Sequence, residues 1–230
     1  MQRPDTYLAA DDFSSWLDAI QAAIRAGTTV EVPCGSCTAC CTSSQFVHVG
    51  PEESDALAHI PAELLFPAPG LPDGHVVLGY DERGHCPMFV HGGCSIYDHR
   101  PRTCRTYDCR VLPAAGFQHD DDVPVEIGRR ATQWRFTYET DAGRMRHQAV
   151  EAAATFLAEH PEVLPPDAGR PSLTRLAALA VEIYELLLQT DSAGTTTVVV
   201  PGAAAVRAAL RRAGSRRRAL VGGHAGSPSR

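Results

Sequence analysis

The sequence contains no lysine. All 21 basic residues are arginine, which alongside so many alanines reads as the codon bias of a GC-rich genome rather than as chemistry. The first ten residues lack a basic stretch followed by an apolar one, which argues against a signal peptide. No apolar run reaches the roughly 18 residues of a membrane span. A cytoplasmic protein without a membrane partner is therefore expected. A glycine-rich strand–turn–helix fingerprint for a nucleotide-like ligand is also missing, and nothing brings Ser, His and Asp together for nucleophilic catalysis.

The charge is unevenly spread. Seven arginines and no acid follow Pro201, leaving 14 basic against 27 acidic residues in 1–200. An acidic body argues against general nucleic-acid binding. The basic tail is expected either to meet an acidic partner or to fold back on the body. At 230 residues and 44% hydrophobic content, the chain can build one domain with appendages.

What is abundant is cysteine, and it is grouped. Cys34-x2-Cys37-x2-Cys40-Cys41 is a tight group, and Cys86, Cys94, Cys104 and Cys109 form a spread one. Eight thiols in a reducing compartment seldom pair as disulfides. Inert buried thiols would have no reason to cluster, so metal binding is the reading to pursue. Two residues between cysteines let the backbone wrap an ion. Iron–sulfur proteins use Cys-x2-Cys-x2-Cys with a distant fourth ligand often followed by Pro. Cys34, Cys37 and Cys40 fit that run, and Cys86-Pro87 fits the distant ligand. Zinc uses Cys-x2-Cys as half of a site, so spacing leaves iron–sulfur and zinc open. Cys37 and Cys41 make the first step of a radical-SAM spacing, but Ser44 stands where its last cysteine belongs. Adjacent side chains diverge, so Cys40 and Cys41 need not serve the same ion, and the tight group can serve two sites.

Around the cysteines, hydrophobic periodicity predicts an α+β fold. Phe13, Trp16, Leu17, Ile20 and Ile24 mark a helix over 12–26, capped by Asp11, Asp12 or Ser14. Further helices are expected at 51–60, 141–160, 172–189 and 203–212. Short extended pieces are expected at 28–32, 46–49, 75–80, 133–138 and 195–200. Asp81-Glu82-Arg83-Gly84 turns the chain into Cys86, and 118–124 reads as an acidic loop. The expected organisation is a single cysteine-cluster domain over 1–190, with a metal-binding core at 34–110 and a helical part at 141–190. Loops around the metal replace part of a hydrophobic core, and the helices pack around it. A short extension and a disordered basic tail occupy 191–230.

The second group reads Cys94-Ser95-Ile96-Tyr97-Asp98-His99-Arg100-Pro101-Arg102-Thr103-Cys104-Arg105-Thr106-Tyr107-Asp108-Cys109. With the tight group upstream and Cys86-Pro87 between, residues 34–110 resemble the YkgJ-type CxxCxxCC cysteine-cluster family, described as a zinc- or iron-chelating domain. The resemblance implies metal chelation, with an iron–sulfur cluster or zinc as cofactor. The same cysteine pattern resembles that of flagellin lysine N-methylases, which implies an enzymatic alternative with S-adenosylmethionine as donor.

A four-thiolate metal carries excess negative charge. Arg100, Arg102 and Arg105 stand among the cysteines and can neutralise it, or they can pair with acids such as Asp98 and Asp108, which read as structural. Tyr97 and Tyr107 can cover a cluster and exclude water. Tyr97, Arg100 and Arg105 are thus the candidate residues beside the metal. His85, His91 and His99 lie near the cysteines and would allow a Cys3His zinc site. His48, His59, His75, His119, His147 and His160 follow no metal-like spacing. Three functions remain in view. One is a metal protein with a redox or metal-handling role and a redox or protein partner. Another is a metal-dependent enzyme, and the last is a zinc-stabilised interaction module using the basic tail.

Overall fold

The computed structural model describes residues 7–26, 28–30, 32, 34–117, 123–164 and 171–222. Along the chain the elements run β1 (Leu8–Asp12), α1 (Phe13–Ala26), β2 (Val47–Val49), α2 (Ser54–His59), β3 (Leu65–Pro67) and β4 (Val76–Leu78). They continue with β5 (Phe89–Val90), β6 (Gly93–Cys94), α3 (Arg102–Thr106), α4 (Val111–Ala114), α5 (Val125–Ala131) and β7 (Trp134–Thr137). The last five are α6 (Asp141–Glu159), α7 (Leu173–Ile183), β8 (Leu188–Thr190), β9 (Thr196–Val198) and α8 (Ala203–Gly222). About 49% is helix and 14% is strand in short sheets, an α+β fold.

The chain divides into two compact units. The first comprises 1–28, 109–123 and 131–230; the second comprises 29–108 and 124–130. The division does not follow the expected core of 34–110, because Cys109 belongs to the first unit.

In the first unit, α1, α6 and α7 pack on one another. Their buried faces are the apolar stripes that the three- and four-residue spacing foretold: Phe13, Trp16, Leu17 and Ile20 on α1, and Leu176, Leu179 and Ile183 on α7. Asp12 caps α1 by accepting from the Ser15 amide at 3.0 Å. Thr140 and Ser172 cap α6 and α7 through the amides of Gly143 and Arg175. The strand at β7 pairs in parallel with β1, a non-local partner that no local pattern announces. Helix α7 stops at Ile183. One 3-10 turn follows over Tyr184–Leu187, and the chain then enters the β8–β9 hairpin instead of continuing as helix to Gln189.

Helix α8 also differs from expectation, running to Gly222 where a short helix and a disordered tail were expected. Val206, Ala209, Leu210 and Ala213 recur at three- and four-residue steps and are buried. This stripe seats the helix on α7, and the arginines fall between its apolar positions. Residues 118–122 of the expected acidic loop and 223–230 of the tail lie outside the described residues, and the described part of 28–32 forms no strand.

The second unit is built on a three-stranded antiparallel sheet in the order β2–β4–β3. Its small core consists of Val47, Val49, Ala56, Ile60, Leu78, Met88 and Ile96. Cys86, Cys94 and Cys104 pack against that core. A cluster of seven apolar side chains is little for some 80 residues, and the cysteines complete its edge.

Candidate metal centre

The cysteines of the second unit are delivered by turns, a hairpin strand and a short helix whose geometry the neighbouring residues enforce. Cys34 and Cys37 share a turn, with the Cys37 amide donating to the Cys34 carbonyl at 2.9 Å. Cys40 and Cys41 lie in one turn of 3-10 helix over Ala39–Thr42, and Thr42 Oγ1 donates back to the Thr38 carbonyl. The following segment is laid against the chain entering Cys86. The Cys86 amide donates to the Cys41 carbonyl at 2.8 Å and the Ser44 amide to the Gly84 carbonyl at 2.8 Å. Asp81 organises this approach by accepting from the amides of Arg83 and His85 at 2.9 and 2.8 Å. Gly84 sits at φ +78°, and a Cβ there would stand 2.3 Å from Ser44 Oγ. Glycine alone fits this position.

After Cys86-Pro87 the backbone turns back on itself, the Phe89 amide donating to the Cys86 carbonyl at 2.8 Å, and the amides of Met88 and Phe89 oppose the rise that burial gives the Cys86 thiol. Cys94 lies across the β5–β6 hairpin from Phe89. His91 and Gly92 form its two-residue turn, with φ of +53° and +81°, the left-handed pair that a tight hairpin requires. His91 is thereby spent on the turn and exposed. Cys104 is on α3. The backbone amide of Arg102, at the start of that helix, donates to the Glu53 carboxylate, and Thr103 Oγ1 donates to the His48 carbonyl at 2.7 Å. These two bonds fix α3 against β2 and the turn before α2.

The thiols act on one another in a pattern the sequence spacing does not display. Burial, followed by the charges of Cys86, Cys94, Cys37 and Cys34, pushes the Cys41 thiol up to about 11. Burial, then Cys86, Cys41 and Cys94, pushes Cys104 up to about 12. Cys86 is raised by burial and by Cys94. Cys41, Cys86, Cys94 and Cys104 thus form a mutually interacting quartet. Cys34 is raised by burial, then by Cys37 and by Asp108. The Cys40 side chain is exposed. The eighth cysteine, Cys109, is buried in the first unit and its sulfur accepts from Trp134 Nε1 at 3.3 Å.

The flanking residues sort differently from one another. Arg100 opposes the thiol shifts of both Cys34 and Cys104. Its guanidinium lies 3.5 Å over the Tyr97 ring and donates from Nε to the Tyr97 carbonyl at 2.6 Å. Tyr97 is therefore bound up with this cation while itself 45% exposed. Arg102 pairs with Glu52 at 2.6 Å. The charge of Arg105 acts on Asp55. Sequence reasoning missed Arg130, whose Nη2 donates to the Cys34 carbonyl at 3.3 Å and whose charge opposes the Cys34 shift. Only its place after a long loop hid it.

The donor set fits a metal that prefers soft ligands. Every cysteine is a free thiol. The quartet is half-buried and mutually repulsive once ionised, so a bound cation relieves the charge that crowding makes costly. No three cysteine sulfurs among the described residues lie within 4.8 Å of one another. Residues 33–126 match the family model described as "CxxCxxCC: Putative zinc- or iron-chelating domain". This segment is similar to the CxxCxxCC family. The family's description points to chelation of zinc or iron by this segment. No curated protein and no solved structure matches the chain, so the comparisons give the resemblance to flagellin lysine N-methylases no support. Among the described residues no helix is long and apolar enough to cross a membrane.

Proposed function

We propose that the CxxCxxCC domain holds its metal through Cys41, Cys86, Cys94 and Cys104. The observation that carries this reading is geometric: Cys86, Cys94 and Cys104 pack against one core, and the Cys86 amide ties Cys41 to them at 2.8 Å. Cys34, Cys37 and Cys40 then form a separate set of thiols, so the tight group serves two ends. Four thiolates close the coordination sphere of a zinc ion and equally supply the corners of an iron–sulfur cluster. When bound, zinc would cross-link the turns of a unit with a small apolar core, and an iron–sulfur cluster would add one-electron chemistry. The residues of the chain contribute the rest. The amides of Met88 and Phe89 favour the charged form of Cys86, Arg100 does so at Cys104, and Cys86, Cys94 and Cys104 pack against the apolar core. A redox or metal-handling role, in the cytoplasm and with a redox or protein partner, follows from such a site.

Anaerobic purification of the untagged full chain, with zinc, iron and acid-labile sulfide quantified on one sample, tests this reading. Either zinc without sulfide or iron matched by sulfide is the expected outcome. A chain that carries neither, and takes up neither on reconstitution, overturns it.

A further inference from the structure

Three side chains outside the thiol set have already converged on one point. Asp55 and His59 are four residues apart on α2, which places them on one face. His99 comes from the 3-10 turn Tyr97–His99, forty residues later in the chain. The imidazoles of His59 and His99 stack with centroids 3.5 Å apart and planes at 6°. The His99 Nδ1 lies 3.0 Å from Asp55 Oδ2, and the His59 Nδ1 lies 3.7 Å from Asp55 Oδ1. The His59 Nδ1 also meets the Asp55 main-chain carbonyl at 2.8 Å. One ligand atom from each of the three residues lies within 4.8 Å of both others, and no ion is present.

We propose that Asp55, His59 and His99 form a second metal site, solvent-facing and separate from the thiols, for a divalent first-row transition-metal ion. Ligands at zinc-like distances of about 2.0–2.2 Å stand roughly 3.4 Å from one another. The ligand atoms lie within 4.8 Å of one another, so their separations need to close by no more than about 1.4 Å, with the stacked rings tilting to aim both nitrogens at one ion. Two imidazoles and one carboxylate select zinc, iron(II), cobalt(II) or nickel(II) over magnesium and calcium, which prefer all-oxygen shells. The His99 contact holds the Asp55 carboxyl below its ordinary range, with further help from the charges of His59 and Arg105. The carboxylate is therefore ready as a ligand at neutral pH. The imidazoles must lose any proton to bind, and Arg105 is the cation that works against the site. Three protein ligands leave positions open to water, and the side chains of Asp55 and His99 are 69% and 41% exposed. The ion held here is accordingly exchangeable, unlike one enclosed by four thiolates. The proposal uses no cysteine and stands independently of the thiolate reading.

Cobalt(II) titration of the anaerobic full-length protein separates the two classes of site. Thiolate sites produce sulfur-to-cobalt charge-transfer absorption; a site of two imidazoles and a carboxylate produces only weak visible bands. The expected result is about one equivalent of cobalt bound beyond the point at which charge transfer saturates. That equivalent disappears in His99→Ala and in His59→Ala, while the charge-transfer intensity is unchanged. Both variants replace partly exposed side chains, and circular dichroism checks that each remains folded. Absence of the extra equivalent in the native chain, or its persistence in both variants, overturns the proposal. Absence of charge transfer would bear on the thiolate site alone.

Discussion

The amide of Cys86 donates to the carbonyl of Cys41 across 2.8 Å. A single backbone bond thus joins the last member of the tight cysteine group to the first member of the spread one. The two residues are far apart in sequence; the bond brings their backbones together where Cys86 packs against the second unit's core. The proposed quartet grows from this pairing, and its consequences are measurable.

Arg100 is the cation that acts on both Cys104 and Cys34. Arg100→Ala removes that support for thiolate charge. Metal affinity at neutral pH is expected to fall on the order of 10-fold, the usual scale for an outer-shell partner. Competition against a chromophoric chelator measures it. Arg102→Ala, which breaks the exposed pair with Glu52, should leave affinity nearly unchanged.

Protons compete with the metal. Burial and crowding raise Cys41 to about 11 and Cys104 to about 12, so both are protonated at neutral pH without metal. Metal uptake displaces those protons, and apparent affinity climbs as pH rises. The metal-free protein shows the opposite trend in stability. These folded pKa values exceed the ordinary 9.0, so folding favours the protonated thiols. Their contribution is complete below about 9 and is lost as pH rises through and beyond that value. Chemical denaturation of apo and metal-loaded protein across this range checks both signs.

Alkylation should follow burial. In the metal-free folded protein Cys40 is exposed, and Cys109 is buried against Trp134 Nε1. Cys40 is expected to react first with iodoacetamide and Cys109 last, as peptide mass mapping over time would show.

The long final helix contributes to the first unit. Leu210 is 4% exposed, and Leu210→Ala should destabilise the protein by about 2–4 kcal/mol. Arg211→Ala, on the exposed side, should change stability by less than about 0.5 kcal/mol. Thermal unfolding distinguishes them. Deleting 201–230 to probe a partner would therefore also unseat a buried helix.

What the sequence revealed tracks how local the cause is. The helices at α1, α6 and α7 announce themselves through apolar spacing and caps, and the Asp81–Gly84 turn through its residue types. The parallel pairing of β1 with β7 depends on residues over a hundred positions apart, so neither strand's own pattern reveals the partner. The arginines after Pro201 suggested disorder because their charge hides the Val206, Ala209, Leu210, Ala213 stripe. At the candidate centre, adjacency hinted that Cys40 and Cys41 part ways. The grouping proposed for Cys41 rests on the bonds Cys86–Cys41 and Ser44–Gly84, which only folding creates. His59 showed no metal-like spacing because one of its companions, His99, arrives from another turn. The Asp55–His59 interval of four residues was the available signal.

The most direct test is the metal content per chain of Cys104→Ser against Cys40→Ser, both purified anaerobically beside the native protein. Cys104→Ser is expected to lose the metal of the quartet, and Cys40→Ser to retain it. Retention of full metal content by Cys104→Ser would contradict the assignment of Cys41, Cys86, Cys94 and Cys104 to one centre.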